Sequence, residues 1–393
     1  MSSSRLCPLP FILVLLLFTA CGDASPTDHH QSDGDYSDSE TDAETATERE
    51  ISLDGDTPAD GDVDLEPEAD LELEPDLEPE IEPPEPLRFT AVTYNTGTTE
   101  GMGHDNGPDD GYTEAHALIS DEWYGDGLAW LPAVADVTAF FSTLDPDIVV
   151  FQEIFWTGEC PGIPEDAKAD FICSEWQPGD PTVAQQVLGA GWQIMCHLGK
   201  PDKCAAVKRS FGSFRDCAED FCLEGLEGYK VDDCGSGSRI GRGVIDLVEG
   251  GVLTLINVHG SSGITRDDQG CREKQFMQVF EDFGDGAPAA NGEYNLVLGD
   301  FNTDPARMDS SDASARKVNE HTGDGKRFHF HTEVGMDAPA TYAGIFNIDH
   351  VLSDSLSGAC WHAGISYGHA LVSEAKYFDH APAVCELEMK AGD

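Results

Sequence analysis

The sequence predicts an α/β layered domain, and three observations carry the prediction. Continuous apolar, β-branched runs such as Ile148-Val149-Val150-Phe151 alternate with segments of helical spacing, as in sheets covered on both faces. The alternation begins only near residue 88, after a region whose composition cannot form a core. Hydrogen-bonding or ionisable residues stand at the ends of six strands, where loops vary and a sheet fixes position.

The chain has 393 residues, 75 acidic against 22 basic, and a net charge of −53. So few cations exclude a broad basic face for gripping a nucleic-acid backbone. At the N-terminus, Arg5 precedes the apolar run Phe11 to Phe18, which is too short for a permanent membrane span. Thr19-Ala20-Cys21-Gly22 follows. Residues 1–20 resemble a bacterial lipoprotein signal peptide, which implies export and anchoring through a lipidated Cys21. Phe18 stands where such signals usually carry Leu, so plain secretion is the alternative.

Residues 21–87 read as a disordered acidic linker. From Gly22 to Leu87 there are 25 acidic residues and one Arg, and the second half is a Glu-Pro repeat. Proline extends the backbone and like charges repel, so no core forms there.

The domain expected over 88–393 holds 50 acidic and 20 basic residues. Of the twelve cysteines, ten lie within it. An even number in an exported chain implies disulfides, with Cys196/Cys204 and Cys217/Cys222 as candidate pairs; without any C-x-x-C spacing, zinc is disfavoured.

Strands are expected at Phe89–Tyr94, Ile148–Phe151, Val252–Val258, Tyr294–Leu298, Ile345–Leu352 and Val384–Met389. Helices are expected at Leu131–Leu144, which Asp145-Pro146 stops, and around Glu273–Phe283. The stretches Thr96–Gly127 and Cys204–Gly243 read as large surface loops.

Six polar groups mark the strand ends: Tyr94-Asn95, Phe151-Gln152-Glu153, Asn257-Val258-His259, Gly299-Asp300-Phe301-Asn302, Asn347-Ile348-Asp349-His350 and Phe378-Asp379-His380. Carboxylates with an amide oxygen suit a hard cation such as Mg²⁺. Histidines supply proton transfer near neutral pH. Together such groups can cleave a phosphate ester. Each alone is as readily a cap or a turn; the shared order is what is specific.

That order resembles the endonuclease/exonuclease/phosphatase superfamily over Arg88 to Lys390. The resemblance implies a four-layer sandwich, two packed mixed β-sheets flanked by helices, with a Mg²⁺-dependent (Mn²⁺ as a substitute) phosphoesterase site at one edge. It implies Glu153 as the principal metal ligand, with Asn95 beside it and Asp379 serving the metal region. Asp300 would orient the attacking water and Asn302 would hold a phosphate oxygen. His259 would act at the phosphate or leaving group, and Asp349 would pair with His380. Three departures stand out. The Glu that usually partners the first histidine in secreted deoxyribonucleases is missing around Ile194–His197, Phe378 replaces a common Ser, and Ala381 replaces a bulkier residue.

For the substrate, the wording of residues 299–302 and the cysteine-rich exported context favour a nuclease-type phosphodiesterase acting on nucleic acid. The domain's −30 charge opposes it. A sphingomyelinase-like phospholipid phosphodiesterase, an inositol phosphate-like phosphatase and an inactive surface-binding protein are the alternatives. Trp123, Tyr124 and Trp130 would form a lipid-facing surface or pack on the core. His104-Asp105-Asn106 with Asp109 and Asp110 is a candidate structural Ca²⁺ loop, against a solvated turn cluster. His321, His329 and His331 are read as structural, without an evident carboxylate partner.

Overall fold

The computed structural model describes residues 85–98, 110–364 and 368–390. The signal peptide, Cys21, nearly all of the acidic linker and the His104–Asp109 part of the calcium candidate lie outside the described residues.

Two sheets pack face to face. The first is built from β1 (Leu87–Asn95), β2 (Ile148–Gln152), β3 (Trp192–His197), β4 (Lys200–Lys208), β6 (Phe221–Leu226), β12 (Ser357–His362) and β13 (Ala383–Met389), in the order β12-β13-β1-β2-β4-β3-β6. The second contains β5 (Gly212–Phe214), β7 (Ile240–Leu247), β8 (Val252–His259), β9 (Tyr294–Asp300), β10 (His329–Phe330) and β11 (Asp349–Ser353), in the order β10-β11-β9-β8-β7-β5.

Period-two alternation decides the layers. Phe89, Ala91, Ile148, Val150, Ala205 and Val207 point between the sheets and meet Leu253, Leu255, Leu296, Leu298 and Val351. Their alternates Val92, Tyr94, Val149 and Phe151 point outward beneath α1 (Glu114–Tyr124), α2 (Leu131–Leu144) and α3 (Val183–Leu188). On the far side, Ile256, Val258, Val297 and Leu352 meet α4 (Arg266–Phe280) and α5 (Ala313–His321). The result is the four-layer α/β sandwich.

Helix α2 shows how the sequence writes one layer. Its Pro lies in the first turn, where no N–H partner is lost, and Val134, Val137 and Phe141 recur on one buried face. Burying each contributes on the order of 1.5–3 kcal/mol. Asp145, in the left-handed region at φ 50°, ends it.

Several expectations are corrected. The expected loop 96–127 contains α1, started by a Thr113/His116 capping box. The expected loop 204–243 carries most of β4, then β5, β6 and the start of β7, whose short apolar runs are interrupted by the turn residues that masked them. Helix α4 spans 266–280 rather than 273–283, because Thr265 and Asp268 form a capping box upstream. The strand expected from Ile345 starts only at Asp349. Tyr342 and Phe346 close a turn on each other, with Ala343 and Gly344 at positive φ and Ile345 55% exposed.

Tyr124 and Trp130 are buried, and Trp123 packs partly buried against the same cluster, which removes the aromatic lipid-facing surface. Tyr124 stacks on Phe171 at 4.5 Å. The ten described cysteines form five disulfides: 160–173, 196–204, 217–222, 234–271 and 360–385. The two candidate pairs are among them. His321 does have a carboxylate partner, Glu281 at 3.3 Å.

Candidate active site

Parallel pairing brings the strand ends together. Asn95 lies opposite Gln152 at the end of β1 and β2, and His259 opposite Asp300 at the end of β8 and β9. A bond from Gln152 Nε2 to Asn257 Oδ1, 2.8 Å, joins the two sheets beneath this edge. Asn257 Nδ2 in turn donates to the carbonyls of Phe151 and Cys204. The backbone that precedes Glu153 is thereby held to the opposite sheet.

Asp300 is the hub. Its Oδ1 accepts from the Asn302 N–H at 2.7 Å, and its Oδ2 accepts from Asn302 Nδ2 at 2.8 Å and Asn95 Nδ2 at 3.2 Å. His259 Nε2 lies 3.6 Å away and His380 Nε2 3.9 Å away. The motif's glycine is required here: at Gly299, φ 149°, a Cβ would sit 1.9 Å from the Val258 carbonyl oxygen. Asn302 takes φ 51°, which Asn tolerates better than most residues, and also bonds the Gly260 carbonyl at 3.1 Å.

Glu153 occupies a left-handed backbone position, φ 58°, unusual for Glu and a mark of local strain. Its Oε1 is 3.4 Å from His259 Nε2, and its side chain is 31% exposed. His380 Nδ1 bonds Asp349 Oδ2 at 2.8 Å, while Asp379 Oδ1 is 4.0 Å from His380 Nε2. Thr341 Oγ1 accepts from the Asp349 N–H and so fixes its backbone. All eight sequence-predicted residues (Asn95, Glu153, His259, Asp300, Asn302, Asp349, Asp379, His380) therefore gather at one edge.

The electrostatics separate the two histidines. Burial opposes a charge on His380, but Asp349, Asp379 and Asp300 outweigh it and raise its pKa well above the ordinary value. His259 moves well below the ordinary value, through burial and then the nearby Lys203 and Arg239. Its Nδ1 has no hydrogen-bond partner among the described residues, in keeping with the missing Glu. Burial, with Asp379 and Asp300 nearby, pushes Glu153 up to about 8; burial, with Asp349 nearby, pushes Asp300 up to about 7.

This crowding of carboxylates is what a bound divalent cation would relieve. Carboxylates that repel one another, with the Asn95 amide oxygen alongside, form the oxygen-rich donor set a hard divalent cation neutralises. Asn95 Oδ1 already accepts from the Gly97 N–H at 3.0 Å, which aims it and leaves a lone pair free. No tight three-ligand cage is preformed here among the described residues; a cation that keeps several waters and takes one or two carboxylates fits this set. The spacing of a cage occurs instead at Glu281, Glu320 and His321, but Lys317 pairs with both glutamates, so that cluster is an ion-pair network tying α4 to α5.

Sequence reasoning missed three contributors. Gly97 permits the close approach of Glu153, since a Cβ there would lie 1.9 Å from Oε2. Lys203 is 1% exposed, with its ammonium on Asp202 Oδ2 at 2.8 Å and its pKa lowered to about 8, first by burial. Arg239 accepts the His259 N–H through its backbone carbonyl at 2.9 Å, and its charge acts on that histidine. In a chain with 22 cations, a lysine within the strand Lys200–Lys208 was the available signal for Lys203. Of the calcium candidate, Asp110 is described: it accepts from the Tyr112 and Lys376 N–H groups, a turn role. His331 is mostly buried against Gly358 and Ser353, and its pKa falls to about 4, first through burial.

No family model matches the chain, and no curated protein matches it. Solved structures similar to it include an endonuclease/exonuclease/phosphatase family protein from Bacteroides thetaiotaomicron, 14% identical over 78% of this chain and 100% of that one, TM-score 0.45. Another is ANGEL2, a 2′,3′-cyclic phosphatase, in complex with adenosine-2′,3′-vanadate, 12% identical over 78% of this chain and 97% of that one, TM-score 0.44. A third is a 3′ phosphatase from Neisseria bound to product DNA hairpin, 16% identical over 76% of this chain and 98% of that one, TM-score 0.41.

Proposed function

We propose that the chain is a hydrolase of phosphate esters that depends on a divalent metal. More particularly, we read it as a nuclease-type phosphodiesterase, exported and tethered through Cys21, with residues 88–393 as its catalytic domain. One observation carries the reading: Asp300 is held by two asparagines between two histidines of opposite proton affinity, beside Glu153 and Asp379.

Glu153 and Asn95, with Asp379 near, would hold Mg²⁺ or Mn²⁺. When bound, the ion neutralises charge on the non-bridging phosphate oxygens. His380, kept cationic by Asp349, offers Nε2–H toward the phosphate and so stabilises charge that grows in the transition state. Asp300, fixed through both carboxylate oxygens by Asn302 and Asn95, orients a water and takes its proton. His259, kept neutral, can accept or share a proton at Nε2 without adding charge. Lys203 and Arg239 help to keep His259 neutral by repelling a proton there.

Burial of Tyr124 and Trp130 removes the feature that favoured a phospholipid substrate, and the nucleic-acid reading gains by it. The test is release of p-nitrophenol from bis-p-nitrophenyl phosphate with Mg²⁺, Mn²⁺ or EDTA. Wild type should be active only with metal, and Glu153→Ala and His380→Ala should each fall by about 10²-fold or more. Equal signal from all three proteins, or full activity in EDTA, would overturn the reading.

A further inference from the structure

His259 has a catalytic nitrogen with no partner behind it. Nε2 faces the reaction, 3.4 Å from Glu153 and 3.6 Å from Asp300, while Nδ1 has no hydrogen-bond partner among the described residues. A group that moves a proton must be held to within roughly 0.5 Å of its productive place. With nothing bonded to Nδ1, the backbone on either side of His259 has to supply the constraint.

On the β8 side the constraint is the bond from the His259 N–H to the Arg239 carbonyl, 2.9 Å. On the other side the chain runs through a loop, residues 260–265, before α4 begins. Loops are the mobile part of a fold unless something holds them. Here Gly260 lies tight on the Asp300 motif: its N–H donates to the Asp300 carbonyl at 2.9 Å, and a Cβ there would sit 2.5 Å from the Phe301 carbonyl oxygen. Arg272 Nη1 then donates to the Ser261 and Gly263 carbonyls, both at 2.7 Å. Gln275, three residues on along the same face of α4, accepts the Ser261 N–H at 2.9 Å and donates to Ser261 Oγ at 2.8 Å.

The same guanidinium reaches the segment after Asn302. Its Nη2 bonds Asp312 Oδ2 at 2.8 Å, and that oxygen also accepts from Thr303 Oγ1 at 3.2 Å. The Arg272 and Asp312 side chains are both 0% exposed. Stability alone does not account for such a pair, since apolar residues of similar volume often serve as well or better. What apolar residues cannot do is hold two carbonyls and a carboxylate with one planar fork.

We propose that Arg272 and Gln275 are positioning residues: through the 260–263 backbone they fix His259 against Asp300, the task a carboxylate on Nδ1 would otherwise perform. The inference rests on the phosphoesterase reading, and its test separates the two.

The test is steady-state kinetics on bis-p-nitrophenyl phosphate with Mg²⁺, run well below each protein's thermal midpoint. Arg272→Lys keeps the charge opposite Asp312 and loses the fork. Gln275→Met keeps the bulk and loses both bonds to Ser261. Each should lower kcat on the order of 10- to 100-fold, the effect of a small misplacement of a reacting group. KM and the Mg²⁺ concentration for half-maximal activity should stay within about twofold of wild type, since neither variant touches the metal ligands. Val279→Ala, which opens a gap in the core on the same helix, should lower the thermal midpoint and leave kcat within about twofold. Wild-type kcat in either positioning variant, a loss that falls on KM instead, or an equal fall of kcat in Val279→Ala would reduce the network to a structural one and overturn the inference. Should Arg272→Lys fail to fold, Gln275→Met decides alone. A wild type that does not cleave the ester would sink the phosphoesterase reading and this role with it; a wild type that cleaves it leaves that reading standing whatever the variants do.

Discussion

Asp349 holds His380 by a 2.8 Å bond from Nδ1, and the other ring nitrogen of His380 is thereby aimed at Asp300. The pair fixes both the tautomer and the charge of that imidazole. His380 carries a raised pKa, so its cationic form is present below that value and is lost as pH rises through it.

Asp349→Asn keeps the shape and removes the charge. The alkaline limb of the pH–rate profile should move to lower pH, and kcat should fall on the order of 10²–10³-fold. A profile superimposable on wild type would show that the pair does not govern the proton.

Gly97 governs the place of Glu153. Gly97→Ala would drive a Cβ to within 1.9 Å of the carboxylate, which must then turn away. The Mg²⁺ concentration for half-maximal activity should rise about tenfold or more, with little change in the unfolding midpoint. A Mg²⁺ titration of activity beside a thermal melt checks it.

Lys203 links the site to stability. Its folded pKa, about 8, lies below its unfolded value, so between the two the unfolded chain binds more protons and stability rises with pH. Lys203→Met should remove that rise. Urea unfolding at about pH 8 and about pH 10 should show a smaller difference in the variant than in wild type.

Cys234–Cys271 closes a loop of sequence separation 37 and ties the segment before β7 to α4. Chain-entropy reasoning gives on the order of 3–4 kcal/mol for such a link. Replacing both cysteines by serine should lower the thermal midpoint by several degrees, and reductant should then shift the variant less than wild type.

Much of this was legible in one dimension. The apolar runs at 148–151, 252–258 and 384–389 and the helix at 131–144 announced themselves by period, because each is stabilised by a face whose spacing repeats locally. The stretch 204–243 did not, since short strands rich in Gly, Asp and Cys become strands only when neighbours supply the other half of each ladder. Tyr124 and Trp130 were ambiguous for the same reason: burial of a loop aromatic depends on what folds over it.

By itself the sequence determined the order of polar groups behind apolar strands, the acidic tract that cannot collapse, and the even set of cysteines. Tertiary structure alone decided that Asn95 would touch Asp300 across 205 residues, that Gly97 would make room for Glu153, and that Lys203 would be buried with its charge acting on His259. Period and capping are written in neighbouring residues. Contact between distant ones depends on strand register and on how two sheets stack, and no local pattern encodes either.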